Sequence, residues 1–141
     1  MNKIFFQIKR FLEIPFAEKK LLLEAVCFLF TAKILLFIFP FKFCLRFIKS
    51  KYVSNSNLDE AYLTQIKIAI DKANKLAFWK NVCLVNSFTA RWMLQRRKIA
   101  SQLSIGVTHD KNKNIIAHAW VKVNDFEIIS KGLDYKELIS F

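Results

Sequence analysis

Little in this chain of 141 residues lets the backbone turn freely, since glycine and proline occur only twice each. No internal repeat and no low-complexity segment breaks it up. Cysteine is scarce and odd in number: Cys27, Cys44 and Cys83 form no CxxC pair, which argues against a disulfide framework and for a reducing compartment. Histidine is scarcer still, with His109 and His118 alone, and no cluster of ligands offers a zinc site or another cofactor site. Acidic residues number 11 against 23 Lys and Arg, a net charge of +12. At the N-terminus MNKIFFQIKRFLEIPF lacks an uninterrupted apolar core and a small-residue cleavage site, so it is not expected to act as a secretion signal.

What is abundant is apolar mass, including fifteen phenylalanines. The length suits one domain with a sizeable core and one main site. Residues 17–48, AEKKLLLEAVCFLFTAKILLFIFPFKFCLRFI, are almost continuously apolar. A membrane span needs about 20 such residues, and Lys33 and Pro40 interrupt the run. The better expectation is a buried helix followed by a short one after Pro40, packed on a core, on a partner or at a membrane surface. The positive charge makes an acidic peptide or an anionic membrane plausible partners; no nucleic-acid motif accompanies it.

KYVSNSN, residues 51–57, reads as a linker, with Asn57 as a cap and Glu60 three positions on. The spacing then predicts an amphipathic helix from Leu58 to about Ala77, with Ala61, Ile66, Ile70 and Ala73 inward. Asn81 is a good N-cap for a further helix running to about Lys98, with Leu84, Phe88 and Trp92 on its buried side and a basic stop of Arg96, Arg97 and Lys98. After that stop the period changes to two. Leu103, Ile105 and Val107 alternate as a strand in which Gly106 allows close backbone approach, and NIIAHAWVKV is the next strand. A tight turn at Asn124 and Asp125 leads to a third strand at Glu127 to Ile129.

Two residues invite chemistry. Cys83 falls in the first turn of its helix, where the helix dipole favours the negative charge of a thiolate. His118 lies in the middle of a strand, where an unpaired imidazole would cost roughly 1–3 kcal/mol. A thiol nucleophile, a base and a group that orients the base make up a cysteine-protease site. Cys27 and Cys44 lack such partners and read as packing residues, and His109 beside Asp110 reads as surface. The basic residues Arg91, Arg96, Arg97 and Lys98 read as a solvated helix end, or else as a dock for an acidic peptide.

Cys83-Leu84-Val85 with Ser87, then Leu103-Ser104-Ile105-Gly106-Val107, then His118-Ala119-Trp120-Val121 and a hairpin, together resemble the stand-alone transglutaminase-like leader peptidases of lasso-peptide biosynthesis. The resemblance runs from about Leu21 to Ile129. It implies an α+β fold, in which apolar N-terminal helices (residues 1–50) precede a transglutaminase- or papain-like cysteine-protease core (residues 58–141). It further implies a cytoplasmic enzyme that removes the leader, after which a separate ATP-using cyclase closes the macrolactam ring. The implied partners are the precursor peptide, a separate leader-recognition protein and the cyclase. Cys83 matches the nucleophile and His118 the general base.

The family expects an acidic residue twelve positions after the histidine, and here that position is Ser130. A two-residue turn at Asn124 and Asp125 pairs Ala119 with Ser130, and a one-residue bulge would bring Ser130 opposite His118, where its hydroxyl could accept from the imidazole. Asp125 and Asp134 read as turn and surface residues. An oxyanion donor is expected from the Cys83 N–H and the segment Phe78 to Asn81. The alternative expectation is a catalytically degenerate, basic peptide-binding or membrane-surface scaffold of the same fold.

Overall fold

Two prolines bracket the longest helix. In the computed structural model, which describes residues 2–49, 59–77, 79, 83–132 and 134–141, α1 spans Asn2–Glu13, and α2, Phe16–Ile38, starts after Pro15 and stops just before Pro40. The chain continues through α3 (Phe41–Cys44), a 3-10 turn (Leu45–Phe47), α4 (Glu60–Leu76) and α5 (Cys83–Arg96). Four strands follow: β1 (Gln102–His109), β2 (Ile115–Val123), β3 (Phe126–Ile129) and β4 (Lys136–Ser140). They form one antiparallel sheet of order β3-β2-β1-β4. The fold is α+β.

The inner side of α2 buries Leu21, Leu22, Ala25, Leu29 and Ala32 in the same core as residues of α4, α5 and the sheet. Full burial of one such leucine stabilises by about 1.5–3 kcal/mol. Among them sits a buried carboxylate, Glu24, held bidentate by Arg97 at 2.6 and 2.7 Å. That hydrogen-bonded pair raises the Arg97 pKa and keeps the guanidinium charged at any accessible pH. Removing one partner of so buried a pair costs about 3–5 kcal/mol.

Asp59 caps α4, its side chain accepting from the Ala61 N–H at 3.0 Å. The expected cap, Asn57, lies outside the described residues. Ala61 is exposed, and the inward side of α4 is instead Leu63, Ile66, Ala69, Ile70 and Ala73.

α5 departs from the single buried stripe expected of it. Val85, Ser87, Phe88, Thr89, Ala90, Met93 and Leu94 are all buried, because α2, α4 and the sheet surround this helix. Arg91 is buried too, which corrects its reading as part of a solvated helix end. Its guanidinium donates to the Ile48 carbonyl at 2.9 Å, to the Ser101 carbonyl, and to the Ser101 hydroxyl at 3.0 Å. Burial pushes its pKa down. Arg91 thus ties three separate segments together, and of the basic cluster only Arg96 and Lys98 remain exposed.

The helix ends in a Schellman motif. The Ile99 N–H bonds the Leu94 carbonyl and the Lys98 N–H the Gln95 carbonyl, with Lys98 at φ 56° where glycine is usual. This turn leads the chain from α5 into β1, and α5 packs on β2 and β3 of the sheet.

Candidate active site

Cys83 opens α5 and is half-buried. Asn81 and Val82, the expected cap and its neighbour, lie outside the described residues, as do Phe78 and Lys80 of the expected oxyanion segment. His118 lies in β2 directly opposite Gly106 of β1. Cys83 and His118 belong to different sides of β2: α5, which Cys83 opens, packs on the face that carries Val121 and Val123, whereas His118 alternates with these residues and projects from the other face. Among the described residues no hydrogen bond joins Cys83 and His118.

The pleat puts His118, Trp120 and Lys122 on one face of β2, opposite Val121 and Val123, which enter the core. On its own face the imidazole clusters with two aromatic rings that also neighbour each other, Trp120 and Tyr135 lying 6.4 Å apart. Tyr135 stacks on the imidazole with ring centroids 4.9 Å apart, and Trp120 lies nearly parallel at 6.3 Å. Tyr135 was not singled out from the sequence. It comes from the approach to β4, a strand that pairs with β1 across some thirty residues and leaves no local signal.

His118 Nε2 lies 2.8 Å from the backbone carbonyl oxygen of Ser130. A carbonyl oxygen only accepts, so Nε2 carries the hydrogen and Nδ1 of the neutral ring is left as the basic nitrogen. Position 130 is thus the partner, but through its backbone and not through the hydroxyl expected. The register explains the difference. Val123 pairs with Phe126 as the tight turn requires, but the bulge that follows adds its extra residue to β3, so that Val121 faces Ile129. Bringing Ser130 directly opposite His118 would need the extra residue on β2. Asp125 and Asp134 are exposed, and among the described residues neither forms a hydrogen bond or ion pair with His118.

Gly106 makes the arrangement possible. A Cβ at this position would stand 2.6 Å from the Lys136 carbonyl oxygen and 2.9 Å from Cη2 of Trp120. The close approach expected of this glycine is therefore between β4 and the aromatic face around His118.

Beside the head of α5 lies an open groove of about 380 Å³, lined by Lys33, Leu36, Phe37, Phe41, Leu84 and Val85. Cys44 is buried, its thiol directed at the Leu35 and Phe39 carbonyls, and burial pushes its pKa up. Cys27 is exposed on α2.

A helix headed by cysteine, followed by an antiparallel sheet with histidine on its second strand, agrees with the comparison to known families. The model of the transglutaminase-like superfamily matches residues 27–138. The chain belongs to the transglutaminase-like superfamily. No curated protein and no solved structure matches it. This superfamily includes cysteine peptidases, and the matched span opens within α2 and closes within β4. The transglutaminase-like match therefore takes in half of the long apolar helix, Cys83, His118 and Tyr135 alike.

Proposed function

We propose that this transglutaminase-like protein is a cysteine peptidase that removes the leader from a ribosomally made, lasso-type precursor peptide in the cytoplasm. Cys83 attacks the scissile carbonyl while His118 Nδ1 takes the thiol proton. The resulting imidazolium gives that proton to the departing amine, and water then hydrolyses the thioester. The observation that carries the reading is the 2.8 Å contact between His118 Nε2 and the Ser130 carbonyl, because it fixes the ring and leaves the other nitrogen basic. In this reading Cys83 and His118, which make no hydrogen bond in the free chain, come together when substrate is bound. The groove lined by Leu36, Phe37 and Leu84 offers an apolar seat next to the nucleophile for a substrate side chain. In this reading a separate protein presents the leader, and the macrolactam cyclase takes the product.

The test is cleavage of a lasso-type precursor by the purified chain together with its leader-recognition protein. Release of the leader by wild type and its loss in Cys83→Ala and His118→Ala is the expected result. A precursor and recognition protein that bind the chain without being cut would favour a non-catalytic scaffold instead.

A further inference from the structure

The first helix has a side that nothing in the fold covers. In α1 every residue but Phe11 is exposed. Ile4, Phe5, Ile8 and Leu12 recur at helical spacing and form one outward arc, with Phe5 74% and Leu12 66% exposed. Lys3 and Lys9 flank that arc, and Arg10 lies over the Phe6 ring at 5.8 Å. α2 also carries an exposed apolar row, Leu23, Cys27, Phe30, Ile34 and Phe37, along the side turned away from the core. The surrounding charge has one dominant sign: residues 2–49 hold nine Lys and Arg against three Glu. Apolar side chains interleaved with cations are what the boundary of an anionic bilayer accepts, burying the former among acyl chains and attracting the latter to headgroups.

We propose that α1 docks the protein on the surface of an anionic lipid bilayer, with Ile4, Phe5, Ile8 and Leu12 inserted and Lys3 and Lys9 at the headgroups. The protein lies on the membrane and does not cross it. α2 is long and apolar enough to cross by length and composition, but its inner side is committed to the core and its Glu24 to Arg97. This inference is independent of the peptidase reading.

The test is co-sedimentation of the full chain with vesicles of phosphatidylcholine containing about one-third phosphatidylglycerol, beside vesicles of phosphatidylcholine alone. Binding to the anionic vesicles that falls at least about tenfold on neutral ones, and again in about 0.5 M salt, is the expected result. Ile8→Asp and Lys9→Glu should each weaken binding about tenfold or more while leaving the melting temperature unchanged, because neither side chain is buried. Failure to bind anionic vesicles overturns the proposal. So does binding that ignores lipid charge or either substitution. Self-association of the chain in ultracentrifugation that Ile8→Asp abolishes, without vesicle binding, would assign the arc to a second copy and overturn it equally.

Discussion

The imidazole of His118 and the backbone carbonyl of Ser130 meet at 2.8 Å, and the Ser130 hydroxyl takes no part in the contact. A neutral acceptor can hold the ring and its tautomer, but it stabilises an imidazolium less than a carboxylate does, since charge-assisted hydrogen bonds are roughly twice as strong. Ser130→Ala should therefore leave leader cleavage within about twofold of wild type, because the carbonyl remains. Ser130→Asp should likewise leave kcat within about twofold, because the carbonyl and not the side chain holds the ring. A steep loss in Ser130→Ala, measured as kcat on the precursor, would return the role to the hydroxyl.

Three thiols in distinct surroundings allow a direct test of Cys83. Cys27 is exposed and serves as the internal reference, whereas Cys44 is buried with its pKa pushed up, so its thiolate forms only at higher pH than an ordinary thiol's. Alkylation by iodoacetamide, followed by peptide mass spectrometry, should mark Cys83 first, Cys27 about tenfold or more slowly, and Cys44 last. His118→Ala should bring Cys83 down to the rate of Cys27. Equal rates for Cys83 and Cys27 in the wild type would remove the basis for a nucleophile at position 83.

Gly106 faces His118 across the β1–β2 ladder and admits the Lys136 carbonyl against its α-carbon. In Gly106→Ala the new methyl meets backbone at 2.6 Å, so β4 or the Trp120 ring must move. A loss of about 1–3 kcal/mol in denaturant unfolding is expected, as for other overpacked sites. Activity should fall further than that stability loss explains at temperatures where the variant is still folded, because Tyr135 leaves its stacking position over His118.

The turn between β1 and β2 carries a pH signature. Asp110 accepts from the Asn112 and Asn114 N–H groups at 2.8 Å each and from the Asn114 side chain at 3.1 Å, and these bonds hold its carboxyl below the usual range, the two from Asn114 most strongly. With the folded pKa depressed, the turn's support is complete above the ordinary carboxylate range and is lost as pH falls through the lowered value. Amide shifts of Asn112 and Asn114, followed by NMR, should stay constant down to the ordinary Asp range and titrate only below it. Asp110→Asn should abolish that titration and leave the Cys83 region unchanged.

Local periodicity and turn chemistry were enough to read much of this protein. The shift from a period of 3.6 to 2 after Arg96-Arg97-Lys98, the helix headed by Cys83, the strand bearing His118, the turn at Asn124 and Asp125, and the close approach at Gly106 are all features of neighbouring residues, and each was legible in the chain. The transglutaminase-like family was legible for the same reason, since its motifs lie in those elements. What tertiary structure alone decided depends on residues far apart in sequence. Which strand of the hairpin carries the bulge settles whether Ser130 offers its hydroxyl or its carbonyl to His118, and no local propensity distinguishes the two. β4 pairs with β1 only once the sheet exists, and with it comes Tyr135. Arg91 and Arg97 look like any basic helix end until Ser101, Ile48 and Glu24 are folded against them, because a cation is buried only where distant acceptors replace the water it loses.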